Sequence, residues 1–185
     1  MIAYVFWHWK QAAVAAPDYE RVQRTFHDAL AKAPPTGFHW SQSFAISGCA
    51  WAADGGDAYE DRYLVDDIPA LEALEQAAVS AARQAPHDAA AALAGGGAAG
   101  VYALKLGAPM HAPRHAAWFS KPAGVSYAAL WGMLDPVITR GEASAWMRKM
   151  VLGPTPEFCV YSAEQLELPA PIEPLRVALR PVWPG

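Results

Sequence analysis

Short apolar runs alternate with amphipathic segments along the chain. The run from Ile2 to Lys10 is rich in β-branched and aromatic residues and too short for a helix, which predicts a strand. Apolar residues then recur at helical spacing up to Pro34, which predicts an amphipathic helix that begins near Pro17. Further strands are predicted over 37–47, 59–65 and 101–106, with a second helix before the last of them.

The second predicted helix has clear start and stop signals. Asp67 is a favourable N-cap, and Pro69 falls in the first turn, where the missing N–H does no harm. We expect Pro86 to interrupt this helix and a short alanine-rich helix to follow from an N-cap at Asp88. The glycines at 95–97 are expected to end it. The first part of the chain therefore follows the order β, α, β, β, α, β.

The second half of the chain repeats the first. The sequence Trp7-His-Trp-Lys10 closes the first apolar run, and Trp118-Phe-Ser-Lys121 closes a similar run that opens at His115. The two halves also end alike, in Val101-Tyr-Ala-Leu-Lys105 and Arg176-Val-Ala-Leu-Arg180. Agreement at both ends of a segment indicates an internal duplication of one βαβ-type unit.

The repeat predicts the domain organisation. Residues 1–107 form the first unit, and residues 111–185 form a shortened second unit. Each unit is small for an independent core, so we expect one fused globule over residues 1–185. The second unit is predicted to hold strands over 115–120, 157–163 and 175–182 and a helix from Ser126 to about Asp135-Pro136. Its second helix is excluded by prolines at 169, 171 and 174.

Residues 143–152 have two interpretations. Their apolar positions fit a helical stripe, and residues 139–142 resemble a capping box, which favours a helix. The repeat instead aligns residues 146–152 with the strand over 40–47 of the first unit. We expect a strand, because agreement over a long repeat usually outweighs local propensity.

Two βαββαβ units in one chain resemble the ferredoxin-like dimeric α+β barrel superfamily, fused here into a pseudo-dimer. Each unit offers a four-stranded sheet with helices on one face, and the two sheets can bury their other faces together as a barrel. The resemblance implies an α+β fold with a cavity between the sheets. The superfamily includes cofactor-free monooxygenases, polyketide cyclases, haem proteins related to chlorite dismutase and proteins of unknown role, so the fold does not determine an activity.

Composition narrows the class of protein. The net charge is −4 without a basic block, which argues against nucleic acid as a partner. Cys49 and Cys159 form no CxxC motif, and the N-terminus lacks a secretory pattern, so a cytoplasmic protein is expected. No apolar stretch predicts a membrane span. His111 and His115 have a metal-ligand spacing, but Pro113 excludes the helix that would align their rings. We therefore expect neither a metal nor another cofactor, and the sequence leaves a homodimer open.

Strand alternation predicts which side chains line the barrel. If the small aliphatic face meets the helices, Tyr4 and His8 point inward, beside His115 of the second unit. Imidazole titrates near neutral pH, so His8 and His115 are candidate acid–base residues in an aromatic cavity. The alternative is that both are partly exposed residues at strand ends.

Cationic side chains in the last strand of each unit suggest an anion site. Lys105 and Arg180 occupy matching positions, each preceded by a leucine. If the leucines face the helices, both cations point into the barrel, where they would need an anionic ligand. Carboxylates at the barrel mouth are the alternative partners. Arg62 in the hairpin has the same two interpretations.

The remaining candidates are aromatic side chains and one histidine. Trp40 and Trp146 are expected to form the cavity wall. His87 is either a loop residue beside the N-cap Asp88 or an imidazole held over the pocket mouth by that carboxylate.

These residues lead to a hypothesis of small-molecule binding. We expect a small aromatic or anionic compound to bind between the sheets. One version is a cofactor-free oxygenase, cyclase or isomerase, with His8 or His115 as base and with Lys105 and Arg180 as anion stabilisers. A second version is a non-catalytic binding or stress-associated protein, and a third is a haem protein.

Overall fold

The computed structural model describes residues 1–52, 57–149 and 155–185. Its elements are β1 (Ile2–Lys10), α1 (Ala16–Lys32), β2 (Phe38–Ser47), β3 (Ala58–Val65), α2 (Ile68–Ala78), a 3₁₀ turn (Ala81–Arg83), α3 (Gln84–Leu93), β4 (Ala94–Gly107), β5 (His115–Phe119), α4 (Tyr127–Arg140), β6 (Ser144–Arg148), β7 (Phe158–Ser162) and β8 (Leu175–Trp183). The chain therefore has an α+β fold, as predicted.

The strands form one closed antiparallel barrel in the order β1-β3-β2-β8-β5-β7-β6-β4. Within the first half of the chain the order is β4-β1-β3-β2, and within the second half it is β8-β5-β7-β6. The halves join where β2 pairs with β8 and where β4 pairs with β6. Helices α1, α2 and α3 cover the outer face of the first four strands, and α4 packs on the second half. No helix lies between β7 and β8, as the prolines there predict.

The barrel interior is filled by large aromatic side chains. Trp118 lies at its centre, with ring centroids 5.2 Å from Trp7, 5.3 Å from Trp51 and 5.3 Å from Tyr102. All three contacts are edge-to-face, the arrangement in which the positive edge of one ring meets the negative face of another. The space between the sheets is therefore a packed core, and the predicted ligand cavity between the sheets is wrong.

The helix break in the first half differs from the predicted one. Helix α2 ends at Ala78, and α3 begins at Gln84, so Pro86 lies in the first turn of a new helix. A proline in a first turn sacrifices no intrahelical hydrogen bond, which is why Pro86 starts a helix instead of interrupting one. Asp88 consequently lies inside α3 and is not its N-cap. Asp67 is confirmed as the N-cap of α2, where its side chain accepts a hydrogen bond from the Ala70 amide.

Strand β4 is longer than predicted because its glycines belong to it. It begins at Ala94, so the glycines at 95–97 do not terminate a helix. A Cβ on Gly96 would lie 2.6 Å from the Trp9 ring, and one on Gly97 would lie 2.4 Å from the Phe6 ring. These glycines make room for the aromatic side chains of β1, which pairs with β4.

The structure shows the secondary structure of residues 144–148 and the end of the helix before them. Residues 144–148 form strand β6, which confirms the strand over the helix, and residues 150–152 of the predicted strand lie outside the described residues. Helix α4 continues through Pro136 to Arg140, so its predicted end was wrong. Pro136 has no N–H, so the carbonyl of Gly132, four residues earlier, has no hydrogen-bond partner within the helix. Both residues are exposed, so water can satisfy that carbonyl.

Within the described ranges no helix is long and apolar enough to cross a membrane.

Candidate functional site

Strand β1 presents its faces with the opposite parity to that predicted. Trp7 belongs to the barrel core, whereas Tyr4, Phe6 and His8 face the helices. The two indoles of Trp7 and Trp118 fill the barrel centre, so the alternate side chains of β1 must pack outward. The inward placement of Tyr4 and His8 is therefore wrong.

His8 and His115 are not brought together. Strands β1 and β5 lie on opposite sides of the barrel, with three strands between them in either direction around the sheet. His115 is half-buried on the outer face of the second half, where it lines a cavity of about 280 Å³ together with Ser162 and Arg176. Arg176 is already bonded there to Glu167. The predicted pair of histidines is therefore corrected.

The predicted anion site inside the barrel is also wrong. Leu104 and Leu179 pack against the barrel core, and so Lys105 and Arg180 point outward. Lys105 is exposed, and the Arg180 side chain is 62 % exposed and donates to Glu20. As in β1, the inward and outward faces of these strands are the reverse of those predicted, because the leucines are needed to fill the barrel interior.

Arg62 does enter the barrel, where its Nη2 is bonded to protein groups and its buried Nε has no hydrogen-bond partner among the described residues. Its Nη2 donates to Gln42 and to the Met110 carbonyl at 3.1 Å. Its guanidinium carbon lies 4.2 Å from the ring centroid of Tyr161 and 5.6 Å from that of Trp40, which is cation–π geometry. Arg62 and Trp40 therefore close one end of the packed core.

The predicted wall residue Trp146 is likewise part of the core, together with the carboxylate of Glu60. Trp146 is buried, and its indole N–H donates to Ser144 Oγ at 2.9 Å. Glu60 is fully buried and accepts hydrogen bonds from Trp7 Nε1 at 2.9 Å and from the Tyr161 hydroxyl at 2.8 Å. Burial raises the pKa of Glu60, and Arg62 only partly opposes this effect.

The larger cavity lies outside the barrel, between the first four strands and helices α1, α2 and α3. Its volume is about 790 Å³. Five aromatic rings line it, those of Tyr4, Phe6, Tyr19, Phe26 and Tyr63. Its polar lining comes from Gln23, Asp61, Glu75 and His87. We call this space the helix–sheet cavity. Of the predicted site residues, Tyr4 and His87 line it, and His8 lies directly behind Tyr19.

Asp61 is the centre of a buried polar network at one end of the helix–sheet cavity. Its Oδ1 lies 3.2 Å from His8 Nε2, and its Oδ2 lies 3.2 Å from His27 Nε2. Both distances are those of ion pairs, although neither imidazole pair has the angle of a good hydrogen bond. The Tyr63 hydroxyl donates to Oδ2 at 3.0 Å. Both histidines are fully buried, and Asp61 is 2 % exposed.

The network continues through both imidazoles. His8 Nδ1 lies 2.6 Å from the Tyr19 hydroxyl, and His27 Nδ1 lies 2.7 Å from Ser41 Oγ. With the Nε2 proton of each ring directed at Asp61, each Nδ1 accepts a hydrogen bond from its hydroxyl partner. Tyr19, His8 and Asp61 thus form a continuous chain from the cavity wall to a buried carboxylate.

The electrostatics of the network favour an ionised Asp61. Burial by itself raises the pKa of Asp61, but His8 and His27 outweigh burial and hold that pKa well below its usual range. Burial and the charge of Asp61 both raise the pKa of Tyr19, so its phenol stays protonated. The network can therefore stabilise an imidazolium at His8, should Tyr19 pass its proton there.

His87 lies on helix α3 at the wall of the helix–sheet cavity. Its Nδ1 is 3.2 Å from Asp88 Oδ1, and its ring meets Phe26 edge-on with centroids 5.6 Å apart. His87 is therefore a helical residue and not a loop residue, and its imidazole contacts the carboxylate of the neighbouring Asp88.

Asp61, His27 and Tyr19 were not predicted as site residues. The signal for Asp61 was the run of three charged residues, Glu60 to Arg62, in the middle of a strand with tyrosines on both sides. A strand that buries both faces can send such charges to opposite sides. His27 follows the apolar stripe of α1, and its buried position could be read from that helical spacing.

Comparison with known proteins gives only distant likeness. No protein-family model matches the chain, and the search of curated proteins gives no match. A crystal structure named "Putative Chlorite dismutase TA0507" has a TM-score of 0.49 and 11% identity, covering 98% of this chain and 95% of that one. The structure of a mutant chlorite dismutase from Candidatus Nitrospira defluvii has a TM-score of 0.45 and 10% identity, covering 98% and 92%.

Removing the Asp61 carboxylate should destabilise the fold strongly. Asp61→Ala leaves two buried imidazoles and a buried phenol without their common partner, and it should cost about 3–5 kcal/mol of unfolding free energy at neutral pH. Asp66→Ala, which removes an exposed carboxylate paired with His39, is the control and should cost less than about 1 kcal/mol. Urea unfolding measures both variants.

The difference in unfolding free energy between the natural chain and Asp61→Ala should depend on pH. The pKa of Asp61 is lower in the folded than in the unfolded protein, so its contribution is fully present above the ordinary value of 3.8 and is lost as the pH falls below it. The stability gap between the natural chain and Asp61→Ala should narrow below that pH. A gap that stays constant or widens there would contradict the assignment.

Proposed function

We propose that the protein binds a small, mainly aromatic molecule in the helix–sheet cavity. The observation that carries this proposal is the cavity itself, whose volume of about 790 Å³ lies in the range of small-molecule sites. Aromatic rings and small aliphatic side chains offer an apolar surface, and Asp61, Gln23 and Tyr19 offer polar atoms that can orient a ligand at one end. This arrangement of apolar walls with a few convergent polar groups is typical of ligand sites.

We further propose that the barrel is a tandem of two ferredoxin-like units, residues 1–107 and 111–185, within one globule. The strand orders β4-β1-β3-β2 and β8-β5-β7-β6 support this proposal, because each places the first strand of its half beside the last and the third. The second unit lacks the helix before β8. Only the first unit therefore has the helices α1, α2 and α3 that enclose the helix–sheet cavity against the sheet.

Proton transfer is a second candidate function, favoured by the hydrogen bond from Tyr19 to His8 and by the Asp61 carboxylate 3.2 Å behind that histidine. A bound molecule would give a proton to the Tyr19 oxygen while the phenolic proton moves to His8 Nδ1, 2.6 Å away. Asp61 would stabilise the resulting imidazolium. Because the pKa of Tyr19 is raised, the two transfers must be concerted and not pass through a free phenolate. This chemistry needs no cofactor.

A deuterium exchange experiment separates proton transfer from simple binding. The protein should accelerate exchange of a C–H of its bound ligand in D₂O, and Tyr19→Phe should slow that exchange by roughly 100-fold or more. Binding of the same ligand should change little, since Phe keeps the ring. Val79→Ala, which alters an exposed part of the cavity wall and leaves Tyr19, His8 and Asp61 untouched, is the control. Equal exchange rates in Tyr19→Phe and the natural chain would leave binding as the function.

The lining of the helix–sheet cavity fits a haem group only in part. His87 could serve as an iron ligand, since Asp88 orients its Nδ1 and the other ring nitrogen remains for a metal. The two propionates of haem lack partners, because the described residues around the cavity include Asp61 and Glu75 and no lysine or arginine. The residues present therefore do not favour haem.

Absorbance spectroscopy tests the haem alternative. Hemin added to the purified protein should give no Soret band that depends on His87. A band that is lost in His87→Ala but kept in His39→Ala, the exposed histidine of β2, would establish haem binding and contradict this expectation.

Blocking the cavity mouth tests the binding proposal. Ala91 and Ala89 are both exposed alanines on α3, but only Ala91 lines the helix–sheet cavity. Ala91→Trp should weaken binding of the neutral dye Nile red at least tenfold, because the indole occupies the entrance. Fluorescence titration measures the affinity, and Ala89→Trp should leave it unchanged. The proposal fails if Nile red does not bind, or if both variants bind it like the natural chain.

A further inference from the structure

We propose that the ligand of the helix–sheet cavity is an organic cation, held by the carboxylates of Asp61 and Glu75 among aromatic rings. This inference rests on the proposed binding function and specifies the chemical class of its ligand. It reverses the anionic ligand expected from the sequence, because the cations on which that expectation depended lie elsewhere on the molecule.

The charge of the lining supports the inference. Among the described residues around the cavity, Asp61 and Glu75 are the only carboxylates, and none is a lysine or arginine. His8 and His27 contact Asp61 but do not line the cavity, so the carboxylate is the member of this charged cluster that reaches it. An anion entering here would meet the exposed carboxylate of Glu75 and, at Asp61, a carboxylate whose charge His8 and His27 offset in part.

Asp61 is buried beside the cavity with one oxygen that lacks a well-directed donor. It is only 2 % exposed, and its Oδ1 accepts no hydrogen bond, although His8 Nε2 lies 3.2 Å away. Buried carboxylate oxygens normally accept at least one hydrogen bond. Oδ1 itself is enclosed by protein, so an ammonium group in the cavity would interact with Asp61 through its charge and not through a hydrogen bond to Oδ1.

Aromatic rings provide the second element of cation recognition. Tyr4 stacks beside Phe6 with centroids 6.5 Å apart, and Tyr63 lies 6.0 Å from Tyr4 at a tilt. Ring faces carry negative electrostatic potential and attract ammonium groups, most strongly where water is excluded. Rings and carboxylates together select an aromatic or alkyl cation over a neutral molecule of the same shape.

Glu75 places the second carboxylate near the opening. It is exposed on α2, one helical turn after Leu71, and both residues line the cavity. Glu72 lies on the same helix and is also exposed, but it does not line the cavity. The two glutamates therefore form a matched pair for testing.

A series of probes with one ring system and three charges tests the inference. The probes are 1-naphthylmethylammonium, 1-naphthylmethanol and 1-naphthylacetate, and their affinities are measured by displacement of Nile red at neutral pH and low salt. The cation should bind at least tenfold more tightly than the alcohol, and the carboxylate should bind more weakly than the alcohol. Glu75→Gln should reduce the preference for the cation several-fold, and Glu72→Gln should not change it.

Asp61→Asn should remove most of the remaining preference for the cation. Thermal unfolding shows whether this variant is folded. If it is not, the exposed variant Glu75→Gln alone tests the inference. Equal binding of the cation and the alcohol, or tighter binding of the carboxylate, would overturn the inference while dye binding sensitive to Ala91→Trp would leave the proposed function intact. Loss of Nile red binding altogether would instead remove the proposed function, and the inference with it.

Discussion

The closure of the sheet constrains everything else in this molecule. A barrel of eight strands has an interior that side chains can fill or that can hold one small ligand, and here Trp7, Trp51, Trp118 and Tyr102 occupy it. The helix–sheet cavity accordingly lies outside the barrel interior, where helices stand away from the sheet. The first half has three helices there and the second half has one, and the larger of the two cavities lies in the first half.

Strand β3 illustrates how one short segment serves both faces. Glu60 and Arg62 point into the barrel and bond to groups of the core, whereas Asp61 between them points to the helices. Each charge is buried, and each has partners that offset the cost of removing it from water. The inner charges are bonded to groups of the core, although Arg62 Nε has no hydrogen-bond partner among the described residues, whereas Asp61 borders the helix–sheet cavity. The side of the sheet that each charge faces thus decides whether it lies in the core or beside the cavity.

The sequence was sufficient for the elements and insufficient for their orientation. Strand and helix positions followed from periodicity, and β6 was recovered from the repeat against its helical pattern. Alternation could not assign faces, because β1 buries both of its sides and carries aromatic residues on each. The assumption that small side chains meet the helices then misplaced His8, Lys105 and Arg180 together.

Only some of the residues around the helix–sheet cavity could be named from the sequence. Tyr4 and His87, both named as candidates from the sequence, line the helix–sheet cavity and not the predicted cavity between the sheets. Asp61 and His27 come together only through the packing of α1 on β3, a contact between distant parts of the sequence. Local patterns carry no information about such a contact, and so the buried network could not be derived from them.

The glycines of β4 have a consequence for how the barrel finds its register. In many sheets one polar face distinguishes the correct alignment from a shift by one residue, but β1 has no polar face to provide that distinction. Here the size of the side chains distinguishes the alignments instead. The rings of Trp9 and Phe6 fit only over residues without a Cβ, and these residues are Gly96 and Gly97. A shift of one residue towards Ala98 would drive a methyl group into a ring. Steric fit between the largest and the smallest side chains thus encodes the strand alignment that closes the first half of the barrel.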